Sequence, residues 1–154
     1  MSKFIIRPIR QEEIKEVSAL WLEFMHYLHE VNPDYYLDPN QKAFANYLQQ
    51  HLTSSEHMVL VAQLDDQVIG FLMARVEQQS WFDGSKMGFI RFLVVREQYQ
   101  SQGIGRAMVD QVLGWFESLL VKRIELYVLK GLPASGFWDR MGFEILMDRR
   151  FFEF

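Results

Sequence analysis

Cysteine is absent from this chain of 154 residues, and so are a basic excess and any long apolar run. Without cysteine there are no disulfides, no thiolate metal sites and no cysteine nucleophile. A formal net charge of −4 provides no global nucleic-acid-binding surface and mildly favours a cationic substrate, although many unrelated proteins carry the same charge. No apolar stretch approaches the about 20 residues that a membrane helix needs. We therefore expect neither a nucleic-acid nor a membrane partner.

The first eight residues, Met1 to Pro8, lack the apolar core and cleavage site of a signal peptide, which predicts a cytoplasmic protein. Apolar residues are abundant at 49% and aromatic residues at 15%, which excludes a disordered chain. The length is sufficient to bury one real core. Because no repeat, low-complexity tract or linker divides the sequence, we predict a single domain over residues 1–154.

Hydrophobic periodicity predicts alternating strands and helices. The predicted elements are an edge strand at 4–7, a helix from 12 to about 31, a second helix with Asp38 as N-cap, a hairpin of strands 58–64 and 68–77, a strand at 89–95, a helix from 103, a strand at 123–129, a short helix ending near 141, and a strand or hairpin at 144–154. The strands at 89–95 and 123–129, joined by a helix, form a βαβ unit and should be parallel.

A buried strand, a glycine turn and a helix N-terminus follow one another between Phe89 and Ser118. The first N–H groups of a helix have no partner within it and carry partial positive charge, and glycine lets a phosphate approach the backbone. Residues 100–106 are therefore predicted to hold a phosphate-bearing small molecule. An ordinary tight turn and a site for ATP or a dinucleotide are the alternatives, since Gly-x-Gly alone is a weak motif.

The stretch from Leu93 to Gly105 resembles the GCN5-related N-acetyltransferase (GNAT) superfamily, in which a strand is followed by Gln/Arg-x-x-Gly-x-Gly/Ala. A second match lies about 30 residues downstream, at Ala134, Phe137, Trp138 and the run 141–143. The resemblance implies an α/β fold, classed as α+β in some schemes, with a mixed, splayed central sheet of about six to seven strands flanked by about four helices. Acetyl-CoA would enter the splay.

The resemblance also implies how acetyl-CoA is bound. Its pyrophosphate would lie on backbone N–H groups of the glycine turn, its pantetheine arm would pair with the free edge of the preceding strand, and an aromatic ring would pack along it. The implied cofactor-binding residues are Leu93, Val94, Val95, Gln100, Ser101, Gln102, Gly103, Ile104, Gly105, Arg106 and Phe137.

The implied reaction is direct transfer of acetyl from acetyl-CoA to a primary amine of a small molecule or peptide. The sequence departs from the family pattern at two catalytic positions. Arg91 stands where many members have glutamate, and Trp138 stands where many have a tyrosine that acts as general acid. Because indole is no useful acid at neutral pH, catalysis mainly by positioning gains weight. A non-catalytic acyl-CoA-binding module is the alternative to an enzyme.

Tyr127 and His26 are the substitute catalytic candidates. Tyr127 lies beside the expected splay, although general strand preference favours a half-buried aromatic there. His26 is near the end of the first helix and could act as a base near neutral pH, or simply interact with the helix dipole. Glu30, Asp34 and Tyr35 follow in a polar loop and could bind the amine, with a solvated loop as the alternative.

Three further features lie outside the two motifs: Arg91, the histidines His51 and His57, and the aromatic residues at 81–82 and 151–154. Arg91 could contact an acidic group of the substrate, contact the cofactor, or pair on the sheet face. His51 and His57 show no metal-ligand pattern, so we expect no metal and interpret them as surface residues or residues with hydrogen-bond partners. The aromatic tail 151–154 and the pair 81–82 favour a homodimer, because exposed aromatics are enriched at interfaces. A core strand with alternate residues buried is the alternative.

Overall fold

The computed structural model describes residues 3–35, 38–79, 81, 83 and 86–154. Within these ranges, five strands form one mixed sheet in the order β1-β2-β3-β4-β5. The strands are β1 (Ile5–Pro8), β2 (His57–Leu64), β3 (Gln67–Gln78), β4 (Lys86–Val95) and β5 (Arg123–Glu125). The α-helices are α1 (Ile14–Val31), α2 (Gln41–His51), α3 (Ile104–Ser118) and α4 (Ser135–Arg140). Among these helices, none combines the length and the hydropathy of a membrane span.

The sheet topology confirms the predicted hairpin and the predicted βαβ unit. β1, β2, β3 and β4 are antiparallel neighbours, and β5 lies parallel to β4 after the intervening helix α3. β1 is an edge strand, as its proline indicated. Phe82 of the predicted aromatic pair lies outside the described residues.

Helices cover both faces of the sheet, so the sheet has a core on each side. Alternate residues of a strand point to opposite faces. Phe71 and Met73 of β3 pack into the core that contains α1 and α2. Leu72 and Ala74 pack into the core that contains α3 and α4. Burial on both faces makes the central strand apolar throughout rather than alternating.

The helix α2 begins later than its sequence indicated. Its N-cap is Asn40, whose Oδ1 accepts a hydrogen bond from the Ala43 N–H at 2.9 Å, and not Asp38. Asn and Asp are about equally good N-caps, so sequence preference could not separate the two positions.

The C-terminal third contains less strand than predicted. β5 ends at Glu125 instead of residue 129, and residues 144–154 form no strand. The sheet therefore has five strands where six to seven were expected. An apolar or alternating segment becomes a strand only where a neighbour completes its hydrogen-bond ladder, and β5 pairs with β4 over residues 123–125 alone. Phe151, Phe152 and Phe154 are exposed, which excludes the buried-strand alternative for the tail.

The start of α1 is tied to β1 by an ion pair with two hydrogen bonds. Arg7 donates from Nη1 and Nη2 to the two carboxylate oxygens of Glu13, at 2.8 and 2.9 Å. The Arg10 backbone N–H also donates to Glu13 Oε1 at 2.8 Å. Burial alone would raise the pKa of the Glu13 carboxyl, but the bonds from Arg7 and Arg10 outweigh it and hold that pKa below its ordinary value.

We expect Arg7→Met to lower the free energy of unfolding at neutral pH by about 2–3 kcal/mol, because it leaves Glu13 charged and buried without its partner. Without Arg7, burial raises the pKa of Glu13, so the deficit should shrink as the pH falls through the ordinary value of 4.5 and the carboxyl is neutralised. Urea unfolding at several pH values measures both effects. The control is Arg10→Gln, which keeps the backbone N–H. An equal loss in the control would contradict the assignment to Arg7.

Candidate functional site

β4 and β5 separate after a short paired segment. Met87, Gly88 and Phe89 pair with residues 123–125, and no described strand pairs with that edge of β4 from residue 90 to residue 95. We call the cleft between residues 90–95 and the chain after Glu125 the fork. An unpaired strand edge presents backbone N–H and C=O groups that can pair with an extended ligand.

A β-bulge at Arg91 accompanies the separation. β3 and β4 pair through Ala74 and Ile90, and then through Met73 and Phe92, so Arg91 is an extra residue without an opposite partner. A bulge bends its strand and increases the local twist. Since Phe89 is the last residue of β4 that pairs with β5, the bend coincides with the base of the fork.

The turn before α3 gathers unbonded backbone N–H groups. Ser101 and Gly103 have φ angles of 61° and 83°, in the left-handed region. The N–H of Ala107 bonds to the Gly103 carbonyl at 3.0 Å, whereas those of residues 101–106 have no hydrogen-bond partner among the described residues. Gln100 Nε2 donates to the Val95 carbonyl at 2.9 Å and so fixes the turn to the end of β4. The turn and the helix dipole together form a site suited to an anion.

The two sequence motifs meet at the mouth of the fork. A Cβ at Gly105 would lie 3.5 Å from the Phe137 ring and 3.7 Å from the Leu93 side chain. Gly105 therefore lies beside Phe137 of α4 and Leu93 of β4, with room for little more than a Cβ. Trp138, the next residue of α4, is only 9% exposed, and its ring packs edge-on against Phe137 and Phe143 at 5.0 and 5.2 Å. Trp138 is thus part of the core.

The other residues implied in cofactor binding differ in exposure. Val94 and Ile104 are buried, so only their backbones can meet a ligand. Val95 is half-buried, and Gln102 and Arg106 are exposed. Arg106 Nε lies 3.8 Å from Asp110 Oδ2, one helical turn on.

The catalytic candidates lie on different elements. Tyr127 follows β5 on the far wall of the fork and is 70% exposed, and the Arg149 guanidinium carbon lies 5.0 Å from the centroid of its ring. His26 is exposed on α1, and within the described ranges it forms no hydrogen bond or ion pair. The structure does not bring Tyr127 and His26 into contact.

The loop after α1 reaches the chain beyond β5. Asn32 Nδ2 donates to the Lys130 carbonyl at 3.2 Å, and His29 Nδ1 donates to the Tyr35 carbonyl at 3.2 Å. Tyr35 is half-buried, whereas the predicted substrate-binding residues Glu30 and Asp34 are exposed. Residues 36 and 37, also in the predicted loop, lie outside the described residues.

Sequence reasoning missed Arg149 and Asn32. Neither belongs to a motif, and each meets its partner across long stretches of chain. In the sequence, Arg149 is noticeable only as a positive charge next to the aromatic tail, and that position does not indicate a contact with Tyr127.

His51 and His57 have hydrogen-bond partners within the fold, as expected. His57 lies 3.0 Å from both Tyr47 Oη and Ser54 Oγ, and His51 Nδ1 donates to the Tyr47 carbonyl at 2.9 Å. Burial, with the nearby His51 and Arg75, lowers the pKa of His57. Among the described residues, no group of three or more potential ligands gathers to hold a metal.

A family model described as "Acetyltransferase (GNAT) family" matches residues 21–143. The chain belongs to the GNAT family.

An "Uncharacterized N-acetyltransferase" from Archaeoglobus fulgidus is 24% identical over 123 residues, which are 80% of each chain. Two solved structures share the fold. A tetramutant of a Bacillus halodurans protein has a TM-score of 0.84 at 19% identity and covers 97% of this chain and 99% of its own. A predicted acetyltransferase from Clostridium acetobutylicum, solved with acetyl-CoA, has a TM-score of 0.80 at 14% identity and covers 98% and 96%.

These matches confirm the predicted family and fold class. Acetyl transfer from an acyl-CoA donor is the general activity of GNAT proteins, so the site of this GNAT chain can be tested with that donor.

We expect Gly105→Glu to raise the dissociation constant for acetyl-CoA by at least about 100-fold, because the longer side chain would press against Phe137 and Leu93, and its carboxylate would repel a pyrophosphate bound at the turn. Isothermal titration calorimetry measures the change. Gly114→Glu is the matched control, since it makes the same substitution in the same helix at an exposed position with nothing within 4 Å of its Cβ. Unchanged binding by a folded Gly105→Glu variant would show that the donor lies elsewhere.

Proposed function

We propose that this GNAT protein is an N-acetyltransferase that moves acetyl from acetyl-CoA directly to a primary amine of a small molecule or peptide. One observation carries the proposal. A free strand edge, which can pair with the amides of a pantetheine arm, leads into a turn of unbonded N–H groups, which can bind a pyrophosphate. The name of the Archaeoglobus fulgidus relative supports a nitrogen acceptor.

The donor would lie along β4 with its pyrophosphate on the N–H groups of residues 101–106. The pantetheine arm would pair with the edge of residues 93–95, of which the Val95 carbonyl is already engaged by Gln100. Phe137, which lies beside Gly105, would pack along the arm. These placements put the thioester inside the fork, between β4 and the wall that carries Tyr127.

The reaction needs an unprotonated amine and a stabilised oxyanion. An amine with a lysine-like pKa of about 10.4 is mostly protonated at neutral pH and must lose a proton before it attacks. Its nitrogen then bonds to the acetyl carbon, the carbon–sulfur bond breaks, and the electron pair leaves on the thiolate. A backbone N–H on the fork edge would stabilise the negative charge on the carbonyl oxygen.

We assign Tyr127 as the general acid that protonates the leaving thiolate, because its exposed phenol stands on the wall of the fork. His26, exposed near the end of α1, is our candidate base, acting through solvent. Most of the acceleration would come from holding the amine against the thioester, which needs no strong acid or base.

We expect Tyr127→Phe to lower kcat by about 10- to 100-fold while leaving acetyl-CoA binding unchanged, because it removes only the phenolic proton donor. Thiol release over a panel of small amines and peptides measures kcat. Tyr99→Phe is the control, as it makes the same substitution at a half-buried tyrosine in the turn after β4. Full activity in Tyr127→Phe would remove Tyr127 from the mechanism. Tight acetyl-CoA binding without thiol release by any acceptor would instead indicate a non-catalytic binding module.

We also propose that the chain forms a homodimer through its C-terminal segment. Six large apolar side chains of this segment are exposed: Ile145, Leu146, Met147, Phe151, Phe152 and Phe154. Such a surface is costly to leave in water, and aromatics are enriched at interfaces. We expect sedimentation equilibrium to show a dimer that Phe152→Lys weakens by at least about tenfold, whereas Leu120→Lys, at an exposed apolar residue just after α3, does not. A monomer at every concentration would refute the proposal.

A further inference from the structure

The bulge residue Arg91 places a positive charge at the base of the fork. Its side chain is exposed, although it belongs to a strand in which Ile90 and Val94 are buried. Because it is the extra residue of the bulge, it has no cross-strand partner on β3. Bulges commonly re-aim a side chain beside an active site.

A second guanidinium reaches the fork from the C-terminal segment. Arg149 stacks on the ring of Tyr127, with the guanidinium carbon 5.0 Å from the centroid. Tyr127 stands two residues beyond the last residue of β5, so Arg149 lies on the wall opposite β4. An arginine stacked on an aromatic face keeps its N–H groups available at its edge.

The charges of both arginines act on Tyr35, in the loop after α1. Tyr35 is half-buried and packs against the core formed with α1 and α2, as Phe92 and Leu129 do. Burial raises the pKa of the Tyr35 phenol, and the positive charges of Arg149 and Arg91 oppose that rise. Tyr35 follows Asn32 in a loop that the Asn32 side chain ties to the Lys130 carbonyl, beyond β5.

Neither Arg91 nor Arg149 forms an ion pair with a carboxylate in the described part of the chain. Arg7, Arg75 and Arg96 do form such pairs. Like charges that converge without a counter-ion repel one another, in a chain whose net charge is −4. A bound anion would remove that repulsion, and guanidinium groups bind carboxylate and phosphate through paired hydrogen bonds.

We propose that the acceptor amine carries an anionic group, a carboxylate or a phosphate, which Arg91 and Arg149 bind in the fork. The inference rests on the acetyl-transfer function proposed above and names its substrate class. Arg91 precedes Leu93 by about 7 Å of extended strand, so the anion would be bound a few bonds from an amine that attacks a thioester held beside β4. Short amino acids and aminoalkyl phosphates have this spacing.

Matched pairs of amines test the proposal. The pairs are β-alanine against β-alanine amide and 2-aminoethyl phosphate against ethanolamine, and the two pairs separate carboxylate from phosphate. We expect the anionic member of at least one pair to have a kcat/KM about tenfold or more above its neutral partner, measured by thiol release. Arg91→Gln should raise the KM for that anionic amine by about tenfold and leave its neutral partner within about twofold. Arg149→Gln should raise the KM for the anionic amine by about tenfold more than that for its neutral partner, a ratio that cancels any effect on Tyr127.

Lys15→Gln is the matched control, because it removes one exposed positive charge at the far end of α1. That helix spans 18 residues, or about 27 Å at its regular rise, and its last turn leads into the loop of Tyr35. Arg91→Glu reverses the charge and should shift preference toward a diamine such as 1,3-diaminopropane. Circular dichroism and acetyl-CoA binding establish that each variant is folded and loaded.

Different results would overturn different claims. Equal acetylation of both members of each pair would refute the anion site and leave the acetyltransferase proposal standing. A rise in the KM for acetyl-CoA, without a change for the acceptor, would assign the arginines to the donor and also refute the site. If no amine is acetylated, calorimetry is used to measure whether the anionic amines bind to the CoA-bound protein. Binding that Arg91→Gln abolishes supports the site, and absence of binding refutes it.

Discussion

The functional architecture of this protein depends on the place where β4 loses its second partner strand. As far as Phe89, the strand is paired on both sides, and beyond it only β3 remains. An open strand edge inside a sheet would normally be closed by hydrogen bonding, since unpaired backbone groups are costly to bury. Here the bulge at Arg91 bends the strand away, so closure would require the bulge to be removed.

The helices keep this opening from weakening the domain. Core residues fill both faces of the sheet, with α1 and α2 on one side and α3 and α4 on the other. β4 contributes Val94 to the first core and Ile90 to the second, so it stays anchored on both sides where it lacks an edge partner. The fork therefore costs edge hydrogen bonds but little apolar packing, which is the larger share of the stabilising free energy.

Arginine has opposite uses in two parts of the molecule. Arg7 is matched in geometry and charge by Glu13 and joins a strand to a helix. Arg91 and Arg149 have no such partner in the described part of the chain, although acidic residues outnumber basic ones overall, 20 to 16. A charge that folding leaves unpaired beside an open strand edge contributes little to stability. Such a charge remains available to a ligand. Arginines of the scaffold are thus paired with carboxylates, whereas those of the proposed site are not.

Local sequence patterns predicted the elements whose stability is local. The apolar stripe of α1, the stripe of α3, the β2–β3 hairpin and the glycine turn all follow from spacing within one segment. The start of α2 was misplaced because Asp38 and Asn40 are equivalent caps by residue type, and only the formed helix shows which one meets Ala43. The strand at 123–129 was predicted too long because its alternation is a property of the segment, whereas its pairing depends on where β4 bends.

The residues alone determine the fold class, the order of elements as far as α4, the family and the turn at residues 100–106, because periodicity, capping and glycine conformation are encoded within short stretches. Only the folded chain decides that the sheet opens after Phe89, that Gly105 faces Phe137 and Leu93, and that Arg149 stacks on Tyr127. These relations join positions tens of residues apart. No local preference specifies them, since each depends on the packing and pairing of the whole domain.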